Sequence, residues 1–497
     1  MTAVRKNFNI FLAFIKIGVI GFGGGSALIP VIEKEAVQLR GWISNEQNTK
    51  YTVISNITPG ALPVKMGAMI GYQTGGISGS LAAAYAVTLP GVFATLLILS
   101  LFSLVGARSL YIIERLSVGI TVFIIYLLMH FIVKTLCPKK DSPCLFAGLA
   151  ICAAAFAVTG GQEILNLTAI LTGNEWFAEI TPVLDISSIN LIFMALYIIV
   201  YSSLVHRFRC TLPVYIVSCL YILSVGKQRL FPVRPGFILF AMVILLICAI
   251  VVSYKENPVH DKLVLKDRKK FIWALGSYMI FPAILFAACW LGRHVSGLNG
   301  SLPLSGLTVG VLTSTLTSFG GGEAYVSVAD STFVGGGYIS SQVFYRQIVP
   351  VANALPGPIL VKLASAIGLI FGAERGGIGM GWLVAAFAMS LAVSMCGIIS
   401  LIMLAGYDAM KTSRTIRNLQ VYILPTICGM LLSTILGMCV EALRVTSSVG
   451  ISAVPSSSII AAGVAGIYLF KKKCPQFPDV LLLLICALAS GLILKGF

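Results

Sequence analysis

The sequence predicts an all-α polytopic membrane protein: two inverted repeats with broken or re-entrant helices, plus extra central and C-terminal transmembrane helices. Three observations predict it. The 497 residues are 58% hydrophobic and only 11% charged, far from the composition of a soluble domain. Apolar runs of spanning length, which takes about 20 residues, recur at 77–106, 186–205, 235–252, 271–291 and 376–406. Two stretches 297 positions apart repeat each other, and both interrupt an apolar segment with glycine and proline. The alternating short segments of a β-barrel are absent.

The repeat is specific. Phe22-Gly23-Gly24-Gly25 recurs as Phe319-Gly320-Gly321-Gly322. Asn56, Pro59, Gly60, Val64, Lys65, Ile70 and Gly71 recur without a gap as Asn353, Pro356, Gly357, Val361, Lys362, Ile367 and Gly368. Paired, interrupted apolar segments in corresponding halves point to the binding site of a transporter. Three blocks follow: a first repeat over 1–140, a central transmembrane block over 141–300 with a basic loop at 255–270, and a second repeat with C-terminal helices over 301–497. Those last helices are expected at 450–470 and 479–496.

Loop charges set an expected orientation. Arg5 and Lys6 place the N-terminus in the cytoplasm. Lys134, Lys139, Lys140, Arg207, Arg209 and the 255–270 loop also fall inside. The stretch 161–185 holds four acidic residues and no basic ones, and is expected outside. One span, 271–292, then puts the second repeat outside at its start, so the two copies are inverted. Lys227, Arg229 and Arg234 disagree with this count, and the topology of 207–254 stays open. The run 8–32 carries Lys16 and a glycine triplet, unlike the apolar core of a signal peptide, so insertion by the chain's own helices is expected.

The net charge of +17 sits mostly in loops beside the spans, where its role is orientation; nucleic acid is not an expected partner. The 12 cysteines lie mostly singly in apolar runs, without a C-x-x-C, and read as small hydrophobes. No metal or cofactor is expected. Enzyme activity is not expected either: the aspartates are scattered, and neither D-x-x-D nor H-E-x-x-H occurs.

The breaks carry the chemistry. Irregular backbone at membrane depth is tolerated only when buried in protein or lining a wet cavity. Pro59-Gly60 with Pro63, and Pro356-Gly357-Pro358, are expected to end one half-helix and start another. Proline suits the first turn of the restart, whose free N–H groups and positive dipole end attract anions. Lys65 and Lys362 fall in that first turn or two, where a cation opposes the macrodipole. A lysine near the bilayer centre costs about 2.5–3.5 kcal/mol on insertion scales, and a bound anion would offset it in both copies. The glycines at 23–25 and 320–322 allow close approach and further N–H donors. Ser26, Ser55, Thr58, Thr317 and Ser318 could add hydroxyls, and Asn56 and Asn353 flank the breaks. Glu323 could pair a lysine or carry a coupled proton; Lys16 is a further counter-charge candidate.

Structural readings compete. Glycine triplets serve close helix packing. Lys65 and Lys362 could snorkel or pair with Glu33, Glu35 or Glu323, and Lys16 could snorkel. Pro90, Pro282 and Pro425 read as kinks. Glu33 through Arg40 read as a solvated helical face, and Asp408 and Glu374-Arg375 as loop charges.

Taken together, the glycine triplet, Ser26 through Glu35, Gly41-Trp42-Ile43-Ser44, Pro59-Gly60 and Gly71-Tyr72 resemble the chromate ion transporter family. The second copy is similar: Phe319 through Glu323, Tyr338-Ile339-Ser340 and Pro356-Gly357-Pro358. The resemblance covers roughly 5–135 and 302–405. It implies two homologous halves moving chromate or sulfate-like oxyanions across the cytoplasmic membrane. The family's proline-glycine-proline falls on Pro59-Gly60-Ala61 and Pro356-Gly357-Pro358, with Ala61 departing from the pattern. The expected function is a secondary transporter of a small oxyanion, with a midplane site at the repeat interface. A passive anion channel or an exporter of an organic anion is the alternative, and a lipid-phosphate enzyme a third. The expected partners are a small inorganic oxyanion and the lipid bilayer, and a homodimer is allowed.

Overall fold

The structure is a computed structural model that describes residues 3–20, 28–104, 107–136, 145–204, 208–226, 228, 233, 235–256, 268–295, 303–319, 322–410, 414–475 and 477–495. Among them there is no strand. The first half contains α1 (Ala3–Ile20), α2 (Leu28–Glu33), α3 (Asn45–Ile57), α4 (Leu62–Ala86), α5 (Leu89–Leu104) and α6 (Ala107–Leu136). The middle contains α7 (Leu145–Thr159), α8 (Gly161–Thr172), α9 (Trp176–Glu179), α10 (Ser188–Leu204), α11 (Phe208–Val225), α12 (Pro235–Glu256) and α13 (Arg268–Val295). The second half contains α14 (Leu304–Thr317), α15 (Gly322–Ala329), α16 (Ser341–Val343), α17 (Val349–Ala354), α18 (Ile359–Met410), α19 (Arg414–Ser448), α20 (Ala453–Lys473) and α21 (Asp479–Lys495). By length and composition, six of the described helices can cross a membrane, or seven if the bent pair α7–α8 is one span. This is an all-α polytopic membrane protein.

The chain forms two compact units. The first comprises 1–127, 265–405 and 441–497, and so holds both copies of the repeated motif. The second comprises 128–264 and 406–440.

In the first unit the two copies build the same parts. Gly41 and Gly337 both take the left-handed backbone, with φ of 59° and 71°. Each is followed by an aromatic residue, a buried isoleucine (Ile43, Ile339) and a serine that caps the next helix. Ser44 closes a full capping box with Gln47; Ser340 accepts from the N–H of Val343. Before these turns, α2 continues as a π-helix over Lys34–Leu39 and α15 over Asp330–Val334. π-turns are rare and recur at functional sites.

Two of the apolar helices, α4 and α18, are hairpins. In α4, Gly76 has φ 66° and ψ −148°, and the chain folds back there. Ser80 donates to the carbonyl of Ala68, and a Cβ on Gly71 would lie 2.2 Å from the oxygen of Gly79. A straight helix would hold those pairs more than 10 Å apart at about 1.5 Å per residue. In α18 the turn is at Gly376-Gly377, and Gly368 and Gly372 pack on Val384 and Gly381. Lipid offers helices no hydrophobic reason to associate, so small residues that let backbones touch do that work. α13 packs on α4 through Tyr278, which is fully buried, while Trp273, Ile284 and Leu291 stay exposed on an apolar outer face suited to lipid.

Several expectations are corrected here. Glu35 is not on a solvated face: it is 6% exposed and accepts from Lys16 and Arg40, each at 2.8 Å. Burial selects this pairing, because a buried carboxylate needs a cationic partner. Glu374 and Arg375 are helical, in the last turn before the Gly377 reversal, and Asp408 is helical too. Separately from these corrections, the stretch 161–185 holds α8 and α9, and α7 and α8 meet at 69°. Gly160 allows that bend, since a Cβ there would strike the Phe156 ring at 2.7 Å.

In the second unit, Tyr197, Tyr201, Val214, Tyr221, Ile238 and Met242 pack α10, α11 and α12 together. The first part of α19 joins α7 and α10: Ser433 donates to the carbonyl of Thr159, and Asn418 to the hydroxyl of Ser203.

Candidate functional site

The two proline-glycine motifs break their helices in the same way. α3 ends at Ile57, Thr58 is extended (φ −104°, ψ 151°), Gly60 is left-handed at φ 99°, and α4 restarts at Leu62 with Pro63 in its first turn. α17 ends at Ala354, Leu355 has φ −104° and ψ 152°, Gly357 has φ 95°, and α18 restarts at Ile359. Glycine is required at both left-handed positions, and proline suits both restarts.

Each lysine reaches back across its own break. Lys65 Nζ donates to the carbonyls of Ser55 and Thr58, both at 2.6 Å. Lys362 Nζ donates to the carbonyl of Leu355, the residue matching Thr58. The ammonium groups thus cap the carbonyl end of the preceding half-helix, where orphan acceptors and the negative dipole end favour a cation. Both lysines are 1% exposed. Neither has a carboxylate partner among the described residues. An ammonium has three donors; Lys65 uses two of them and Lys362 one.

Each break docks on the other repeat. The Gly60 N–H donates to the carbonyl of Ser318 (2.7 Å), and the Ala61 N–H to Cys396 Sγ (3.2 Å). A Cβ on Gly60 would lie 2.7 Å from that sulfur. Reciprocally, a Cβ on Gly91 would lie 2.1 Å from the Pro356 carbonyl oxygen and 3.2 Å from Lys362 Cδ. Gly357 also has the backbone of Gly91 and Gly18 as its nearest neighbours. Two buried hydroxyls beside the first break, Ser55 Oγ and Ser318 Oγ, have no partner among the described residues. A buried polar group without a partner is uncommon.

The structure places the sequence candidates unevenly. Lys65, Lys362, Pro59, Gly60, Pro356 and Gly357 are at the breaks. Asn56 and Asn353 are not turned towards them: each amide donates to the carbonyl four residues back, Thr52 and Val349, within its own helix. Thr58 and Thr317 likewise bond Ile54 and Thr313. Two of the N–H groups expected to be free at the first restart, those of Gly60 and Ala61, are taken by the second repeat. Lys16 is the ion-pair partner of Glu35. Gly23, Gly24, Gly25, Ser26, Gly320, Gly321 and the side chain of Glu323 lie outside the described residues; Gly322 opens α15.

Sequence reasoning missed Gly18, Gly91, Cys396 and a buried hydroxyl chain. Ser80 gives its proton to Ala68, so the 2.7 Å contact with Tyr278 has the tyrosine donating to Ser80. Ser394 donates to the Tyr278 carbonyl at 2.6 Å. Tyr278 therefore ties one arm of each hairpin to α13. Gly91 was readable in part, because it follows Pro90 at the start of a helix. A lone cysteine carried no signal.

The family model described as Chromate transporter matches residues 8–173 and 305–492, more than half of the chain and well beyond the two stretches carrying the quoted motifs. An uncharacterized transporter of Bacillus subtilis (YwrA) is 36% identical over 90 residues, 18% of this chain and 51% of that protein. An uncharacterized transporter of Methanocaldococcus jannaschii is 23% identical over 316 residues, 59% of this chain and 71% of that protein. The chromate transport protein of Cupriavidus metallidurans is 33% identical over 89 residues, 18% of this chain and 22% of that protein. The chain spans about half the length of the two Bacillus relatives it matches. No solved structure matches it. The twofold match and the twice-built break agree: the chain belongs to the chromate transporter family.

Proposed function

We propose that the chain is a secondary transporter of a small chromate-like or sulfate-like oxyanion across the cytoplasmic membrane, with its N-terminus in the cytoplasm. The anion site is where the two broken segments meet, near the bilayer midplane. The observation that carries this reading is the pair of buried lysines without carboxylate partners among the described residues. A buried charge that only carbonyl dipoles compensate is costly, and an anion supplies the missing counter-charge. The spare N–H donors of both ammonium groups and the unpartnered hydroxyls of Ser55 and Ser318 are suited to its oxygens.

Depth supports the location. The arm from Leu62 to Gly75 is about 21 Å long at 1.5 Å per residue. With the hairpin turn at one interface of a hydrocarbon core about 30 Å thick, the first break falls within the core. In the second copy, Glu374 and Arg375 beside the turn favour water at that end.

The test is uptake of labelled chromate, sulfate and an organic anion by purified protein in liposomes, with and without a proton gradient. Concentrative oxyanion uptake that disappears in both Lys65→Met and Lys362→Met is the expected result. Unchanged uptake in both variants would end the binding role, and strictly downhill flux would make the protein a channel.

A further inference from the structure

The second unit contains a cavity of about 680 Å³ that the transport reading does not use. It lies among α7, α10, α11 and α19, and its walls are mostly aliphatic. One rail is polar. Arg414, Asn418, Tyr422 and Thr426 line it at intervals of four, the spacing that keeps side chains on one helix face. That stripe is about 18 Å long at 1.5 Å per residue, slightly more than one leaflet of a hydrocarbon core about 30 Å thick. Arg414 is the first residue of α19, so the cation stands at one end of the groove. Asn418 follows one turn deeper and is held by its bond to Ser203. Tyr215 and Tyr422 line the groove yet stay 46% and 39% exposed, so it opens sideways.

We propose that this groove binds one anionic phospholipid, its phosphate at Arg414 and Asn418 and an acyl chain lying between α10 and α19. A small inorganic oxyanion has no use for an aliphatic cleft of this length. A neutral surface lipid would not need a cation at the mouth. The groove offers one of each: an apolar slot one leaflet deep and a guanidinium at its end, the residue best suited to phosphate.

The experiment is native mass spectrometry of the full-length protein equilibrated with equal amounts of phosphatidylglycerol and phosphatidylcholine. The wild type is expected to retain phosphatidylglycerol at least tenfold better. Arg414→Ala is expected to lose that preference, while Arg414→Lys, and Arg417→Ala on the same helix, keep it. Ala195→Phe, which fills the groove, is expected to lower retention of both lipids several-fold. Size-exclusion profiles identify any variant that has not folded; if Arg414→Ala is one, Arg414→Gln removes the charge at similar length and is expected to lose the preference, and Ala195→Phe still tests the tail. Equal retention of the two lipids by the wild type overturns the proposal. An intact preference in Arg414→Ala, or undiminished binding in Ala195→Phe, does the same.

Discussion

Lys65 sits across the Pro59-Gly60 break from Thr58, its ammonium 2.6 Å from the carbonyl oxygen, and Lys362 repeats the contact with Leu355. A lysine at the start of one half-helix therefore holds the end of the half-helix before it. In the proposed transporter the same side chain would have a second role beside closing the break, that of presenting charge to the anion.

Those roles separate in Lys65→Met. The variant loses two charge-assisted hydrogen bonds, each worth about 1.5–3 kcal/mol, but also removes a buried cation costing about 2.5–3.5 kcal/mol. The terms oppose, so thermal unfolding in detergent is expected to change by less than about 4 kcal/mol, while oxyanion uptake falls at least tenfold. A large stability loss with proportionate loss of uptake would make Lys65 a clamp and nothing more.

Gly91→Ala tests the docking of the second break. Glycine to alanine inside a helix normally stabilises by up to about 1 kcal/mol. At Gly91 the sign should reverse, because the added carbon would lie 2.1 Å from the backbone oxygen of Pro356, which cannot rotate away. Gly276→Ala in α13, with nothing within 4 Å, is the control and should be neutral or stabilising. Paired melting curves decide it; equal shifts in the two variants would show that the break does not rest on Gly91.

Gly60 and Gly357 have nearly the same backbone but different neighbours. Alanine at either position meets left-handed strain of about 1–2 kcal/mol. Only at Gly60 does it also meet a side chain, Cys396 Sγ at 2.7 Å. Gly60→Ala is therefore expected to be the more damaging, and Cys396→Ala to recover part of that loss in the double variant. A double-mutant cycle in thermal stability measures the coupling; a coupling of zero would separate the two residues.

The breaks were legible because backbone chemistry announces itself: proline and glycine at fixed offsets, twice, leave few conformations open. The hairpin turns at Gly76 and Gly377 were not, since glycine in an apolar run reads equally as helix packing. The partner of Lys16 was not legible either. Glu35 lies 19 residues on, and only burial distinguishes it from Glu33. The docking of each break on the other repeat depends on contacts such as Ala61 with Cys396, 335 positions apart, which no local pattern encodes.

The Lys16–Glu35–Arg40 cluster lies outside the candidate spans and gives a pH prediction with a definite sign. Burial raises the Glu35 carboxyl, but the bonds from Lys16 and Arg40 outweigh it and hold the group below its ordinary value of 4.5. A group whose pKa is lowered on folding binds protons more readily in the unfolded chain. Its stabilisation is complete above the ordinary value and disappears as pH falls through the lowered one. In the acid range that opens just below the ordinary value the wild type should therefore lose thermal stability more steeply than Glu35→Gln, which has no such proton to bind. Above that window the order reverses in size rather than slope: Glu35→Gln is less stable by a roughly constant amount, and more salt narrows the gap because Lys16 is half exposed. Parallel slopes for the two proteins across the acid range would mean that the cluster adds nothing to the folded state.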